Sequence, residues 1–71
     1  MPAELHWDDA EEIGYQLAES FPNLNPLEVR FTDLHKMIIE LPTFADDPSK
    51  SSEGKLEAIQ MAWNEEYEDR Q

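Results

Sequence analysis

Carboxylates dominate the side chains with chemistry to offer. Asp8, Asp9, Glu11 and Glu12 crowd one short run, and Asp46 and Asp47 form a second pair. Between them lies Val29-Arg30-Phe31-Thr32-Asp33-Leu34-His35-Lys36, where apolar, cationic, anionic and imidazole groups share eight positions. Oxygen-only donor sets suit hard cations such as Ca²⁺, Mg²⁺, Mn²⁺ and iron. On a helix, Asp9 and Glu12 share a face, as do Asp8 and Glu12 if the helix starts early. Asp8, Asp9, Glu12 and Asp33 are therefore the candidate metal ligands, with Asp46 and Asp47 as further oxygen donors. Their spacing is not that of an EF-hand, so the expected site is exposed and weak, with no tightly bound cofactor. The plainer role for the same residues is helix capping and solvation.

The charge narrows the partners. Five Lys and Arg stand against 17 Asp and Glu, for a formal net charge of −12 and a pI near 4.2. Nucleic-acid binding rests on cationic neutralisation of phosphate, so DNA and RNA are disfavoured, as are anionic membranes. Basic proteins and hard cations remain. There is no cysteine, hence no disulfide, no thiolate for a metal or cluster, and no cysteine catalysis. Catalysis is not expected in any form. No Gly-rich phosphate loop or Ser/His/Asp set is present, and His35 and Asp33, two residues apart, point to different sides of a helix. The start of the chain has no basic and apolar run of a signal peptide, and no apolar stretch approaches the ~20 residues of a membrane span. A cytoplasmic monomer is the expectation.

At 71 residues one domain is expected over 1–71, with loose tails at 1–6 and 68–71. Four helices should position the charged groups. The first runs from about Asp9 to Ser20, capped by Asp8 with Glu11, or by Asp9 with Glu12 one residue later. It buries Ala10, Ile13, Gly14, Leu17, Ala18 and Phe21. Gly14 lowers helix propensity by about 1 kcal/mol relative to Ala, which points to close approach of another element. Pro22-Asn23-Leu24-Asn25-Pro26 is a tight connector, with Asn25 capping a short second helix, Pro26 to Arg30, that uses Leu27 and Val29 as apolar contacts.

Thr32 reads as the cap of a third helix, Asp33 to Leu41, with Asp33 in the first turn where the helix dipole favours an anion. Leu34, Ile38 and Leu41 form its core stripe with Met37 beside it. Pro42 closes it. Pro42 to Ser52 is a loop in which Phe44 returns to the core and Asp46 and Asp47 point outward. Ser52 or Ser51 caps the last helix, where Leu56, Ile59, Trp63 and Tyr67 repeat at helical spacing. Acidic Glu65, Glu66, Glu68 and Asp69 oppose the dipole at its end, so fraying from about Glu68 is expected. If the loop folds beside the third helix, Arg30, Asp33, His35, Lys36, Glu40, Asp46 and Asp47 form one exposed protein-binding patch. The architecture is mainly α, similar to helix-turn-helix and winged-helix domains but without a clear wing.

Several stretches resemble the IscX (YfhJ) family of small acidic proteins. They are Trp7 with Asp9, Glu12-Ile13-Gly14, the Pro22–Pro26 connector, Val29-Arg30-Phe31-Thr32-Asp33 with His35, Phe44 with Asp46-Asp47-Pro48, and Leu56-Glu57-Ala58-Ile59 with Trp63. The likeness spans Leu5 to Glu66, and the Arg-Phe-Thr-Asp run and the Asp-Asp-Pro loop are its specific parts. Residues Tyr67 to Gln71 extend past the usual end, and Leu27, Gly54 and Lys55 depart from the pattern without touching the acidic face. The resemblance implies a modified winged-helix fold that does not bind DNA and a place in bacterial iron–sulfur cluster assembly. It further implies docking through an acidic face on the cysteine desulfurase IscS, at a basic area shared with frataxin and ferredoxin, and modulation of that enzyme. Weak carboxylate binding of Fe²⁺ or Fe³⁺, as iron donor or sensor, is the other role it implies.

Overall fold

The computed structural model describes residues 4–70. It contains three α-helices: α1 (Ala10–Ser20), α2 (Phe31–Ile39) and α3 (Glu53–Asp69). Single 3₁₀ turns lie at Pro26–Glu28 and Pro48–Lys50. The expected fourth helix is thus only a turn. Asn25 does cap it, accepting from the Leu27 N–H at 3.0 Å. However, Val29 and Arg30 are already extended (ψ 130° and 152°), so the segment ends before an α-helical turn can close. Leu27 is 59% exposed, against its expected core contact, whereas Val29 packs on the core.

The helix boundaries follow local hydrogen bonding. α2 starts one residue before the expected cap. The Arg30 carbonyl accepts from the Leu34 N–H at 2.8 Å, so Arg30 holds the cap position and Thr32 lies inside the first turn. Asp9, not Asp8, occupies the cap position of α1, but its carboxylate turns back to the His6 N–H at 2.9 Å, and no side-chain cap forms. Ser52 caps α3 as expected, accepting from the Lys55 N–H.

The core is dry. Leu5, Trp7, Ile13, Leu17, Ala18, Leu34, Ile38, Leu41, Leu56, Ile59 and Trp63 are buried, and among the described residues no polar or charged side chain joins them. Its main seam is α1 against α3. A Cβ placed on Gly14 would lie 2.6 Å from the Trp63 backbone nitrogen and 2.8 Å from the Ala62 carbonyl carbon. Neither atom belongs to a flexible side chain, so only glycine lets the helices approach this closely. Phe21, expected in the buried stripe, is instead 37% exposed beside Trp63.

Both ends of the described chain are tied down, contrary to the loose-tail expectation. Leu5 is buried and forms a parallel bridge with Phe44, through Leu5 N–H to the Thr43 carbonyl and Ala45 N–H to the Leu5 carbonyl, both 2.8 Å. The loop thus pairs with the N-terminal segment, and no wing of paired strands forms among the described residues. At the other end α3 continues to Asp69. Arg70 pairs with Glu19 of α1 at 3.2 Å and lies over the Tyr15 ring at 5.5 Å. That contact ties the acidic end of α3 to α1. Expectations for Met1–Ala3 and Gln71 fall outside the described residues.

Candidate functional site

Trp7 organises one corner of the molecule. Its side chain is 2% exposed, and its ring lies edge-on to Phe44 at 4.8 Å and stacks with His35 at 5.4 Å. A buried indole N–H usually finds a hydrogen-bond partner. Trp7 Nε1 donates to the Asp47 carbonyl at 2.7 Å, and the Trp7 backbone N–H donates to Asp46 Oδ2 at 3.0 Å. His35, from α2, closes the corner with Nε2 2.7 Å from the Pro48 carbonyl. A carbonyl only accepts, so Nε2 carries the proton. The loop therefore does fold beside α2, held by an aromatic hub that the bridge at Leu5 positions.

The loop carboxylates take part in this structure. Asp46 accepts from the Trp7 and Asp47 N–H groups, and Asp47 accepts from the Ser49 N–H and hydroxyl. Donation from Trp7, then from Asp47, holds the Asp46 carboxyl below the usual range. The Ser49 N–H, then its hydroxyl, does the same for Asp47. Asp46 thus bonds inward to Trp7, whereas Asp47 stays exposed with its carboxylate bonded locally to Ser49, and what both present to a partner is the outer side of already engaged carboxylates.

The α2 surface is different. Arg30, Asp33, Lys36 and Glu40 follow one another at helical spacing along one face, all exposed, and their side chains form no ion pair with a described residue. They are free to meet a partner. Of the expected patch, the structure joins His35 to the loop directly and leaves these four as an open stripe on the same helix.

The candidate metal ligands are more dispersed. Asp8 pairs with Lys55. Asp9 receives the His6 N–H and lies 3.6 Å from the His6 ring. Glu12 is exposed, and Asp33 stands on α2. A shallow depression is lined by Asp8, Asp9, Ala10, Glu11 and Glu12. Among the described residues no three His, Asp or Glu side chains converge to hold a metal.

Trp7 as hub, the Asp8–Lys55 pair and the Tyr15–Glu19–Arg70 cluster were not foreseen. Glu19 holds the Tyr15 phenol above its ordinary range, while Tyr15 and then Arg70 hold Glu19 below its own. Tyr15 and Glu19 stand four apart, which is a readable signal on a helix. The pairs that cross between elements carry none.

Helical scaffold, exposed zwitterionic stripe and acidic surroundings define a small charge-presenting protein. No helix among the described residues is long and apolar enough to cross a membrane. A family model described as iron–sulphur cluster assembly matches residues 5–68. The uncharacterized protein PA3808 of Pseudomonas aeruginosa is 53% identical over 62 residues, covering 87% of this chain and 94% of the relative. The chain belongs to the iron–sulphur cluster assembly family, the IscX/YfhJ family, whose members are accessory proteins of that process and not a known enzyme family.

Proposed function

We propose that this protein is a non-enzymatic, cytoplasmic regulator of iron–sulfur cluster assembly that docks as a monomer on the basic surface of the cysteine desulfurase IscS and modulates its activity. On that surface it competes with frataxin and ferredoxin. Family membership supports the process, and a scaffold of modified winged-helix type that does not bind DNA is part of the same proposal. The single observation behind the docking face is the open α2 stripe of Arg30, Asp33, Lys36 and Glu40, all exposed and without an ion pair to a described residue. Preformed faces bind with little ordering cost. Acidic surroundings steer a basic partner and make association salt-sensitive. The test is an NMR titration of labelled protein with purified desulfurase at two salt concentrations. Shifts should cluster on Arg30–Glu40 and Asp46–Pro48 and fade with salt. Shifts elsewhere, or none, would overturn the assignment.

A second role rests on the depression lined by Asp8, Asp9, Glu11 and Glu12: weak iron binding, as donor or sensor for assembly. Here iron is cargo. With Asp9→Asn, Glu12→Gln and Asp33→Asn combined, iron-induced broadening of NMR signals around the first turn of α1 should disappear. Persistent broadening there would rule these ligands out.

A further inference from the structure

The C-terminal ends of α1 and α2 meet around an open groove of about 400 Å³, lined by Ser20, Phe21, Met37, Glu40, Leu41 and Pro42. Its walls are apolar. Phe21 is 37% exposed, yet its ring has a fixed neighbour, the buried Trp63 at 6.5 Å. The rim is negative. Ser20 is the last residue of α1 and Glu40 caps the end of α2, so the partial negative charge of two helix ends falls here. The last turn of α1 contains no basic residue. The Glu40 carboxylate has no ion-pair partner among the described residues, although Lys36 lies one turn before it. An apolar trough with an anionic rim complements a side chain with an aliphatic stem and a cationic head.

We propose that this groove anchors an arginine side chain from the basic protein partner. The stem lies along Met37 and Leu41, and the guanidinium faces Glu40 and the helix-end carbonyls. Arginine fits better than lysine because its planar head also stacks on an aromatic face, here Phe21, and presents a fork of donors. The inference rests on the docking role above and deepens it. Glu40 belongs to the open stripe, so the groove extends that face around the end of α2.

The test needs no desulfurase. Labelled full-length protein is titrated with a five-residue peptide carrying one central arginine flanked by leucines, and with the same peptide carrying neutral citrulline. Saturable shifts at Phe21, Met37 and Leu41 are expected with arginine and not with citrulline. Glu40→Gln, an exposed change that leaves the fold intact, should weaken the arginine peptide roughly two- to fivefold. Phe21→Ala should weaken it too, with circular dichroism confirming retained helix. Equal response to citrulline, or shifts centred on Glu11 and Glu12, would overturn the anchor while leaving docking by the α2 stripe standing. Groove binding by the peptide without any binding of desulfurase would support the anchor and reject only the named partner.

Discussion

Two charged regions of this protein use carboxylates in opposite ways. At the Trp7 corner, Asp46 accepts hydrogen bonds from the Trp7 and Asp47 N–H groups and Asp47 accepts from Ser49, and together they hold a loop in place. Along α2, Asp33 and Glu40 are separated by Lys36 and accept nothing from the described fold. The difference shows that a formal charge of −12 is not one undivided binding surface. Some of it is structural, and the remainder is available to a partner.

Removing the hub should break the comparison most severely. Trp7→Ala deletes a buried indole, both ring contacts and the bond to Asp47. Large-to-small core changes of this kind cost about 3–5 kcal/mol, a large share of the 5–15 kcal/mol typical of whole domains. Chemical denaturation should show a correspondingly lower midpoint, and NMR should show the Asp46–Lys50 loop released from α2. Retention of the loop signals in the folded fraction would mean that Trp7 is not what pins it.

The α1–α3 seam belongs to the core that also buries Trp7, Leu34 and Ile38, so damage there should affect both regions together. Gly14→Ala forces a methyl against the backbone of Ala62 and Trp63, and overpacking costs roughly 1–3 kcal/mol. Gly54→Ala provides the control. Its new Cβ meets nothing within 4 Å, and better helix propensity should raise stability by up to about 1 kcal/mol. Thermal melts of the two variants should move in opposite directions. A shift in the same direction would contradict the close approach at Gly14.

Acid should separate the two regions without mutation. Asp46 and Asp47 have folded-state pKa values below their ordinary range. The stability they contribute is therefore fully present above the ordinary carboxylate range. It is lost as pH falls through their lowered folded-state values. Lower net charge on acidification also relieves self-repulsion across the molecule, so a global melt mixes the two effects. The indole N–H resonance of Trp7 is the appropriate probe. It should lose its hydrogen-bonded position only below the usual carboxylate range, and at higher pH in Asp46→Asn. A transition near neutrality would argue against control by these carboxylates.

The helices were largely legible in the sequence because periodicity reports burial directly. Leu34 and Ile38, and Leu56, Ile59 and Trp63, lie where their spacing puts them. The glycine at 14 announced its close contact because nothing else explains it in the middle of a helix. The corner was hard to read for a physical reason. Leu5 with Phe44, and Trp7 with Asp46 and Asp47, are contacts across about 40 positions, and no local pattern encodes a partner at that distance. The same applies at Arg70, whose partner Glu19 lies 51 positions away. In the candidate site, residue types suggested the patch, but composition could not distinguish an Asp that accepts from Trp7 from one that faces outward. That distinction depends on the loop's position, which only the tertiary structure supplies.

The central claim is the division between tethered and free carboxylates, and calorimetric titration of desulfurase against two double variants tests it directly. Asp33→Asn with Glu40→Gln should leave the thermal midpoint unchanged, weaken binding by roughly two- to fivefold per charge and flatten its salt dependence. Asp46→Asn with Asp47→Asn should lower the thermal midpoint, while its folded form keeps most of the salt dependence. If the α2 pair leaves affinity and salt dependence untouched, or the loop pair abolishes salt-dependent binding without loss of stability, the division drawn here is wrong.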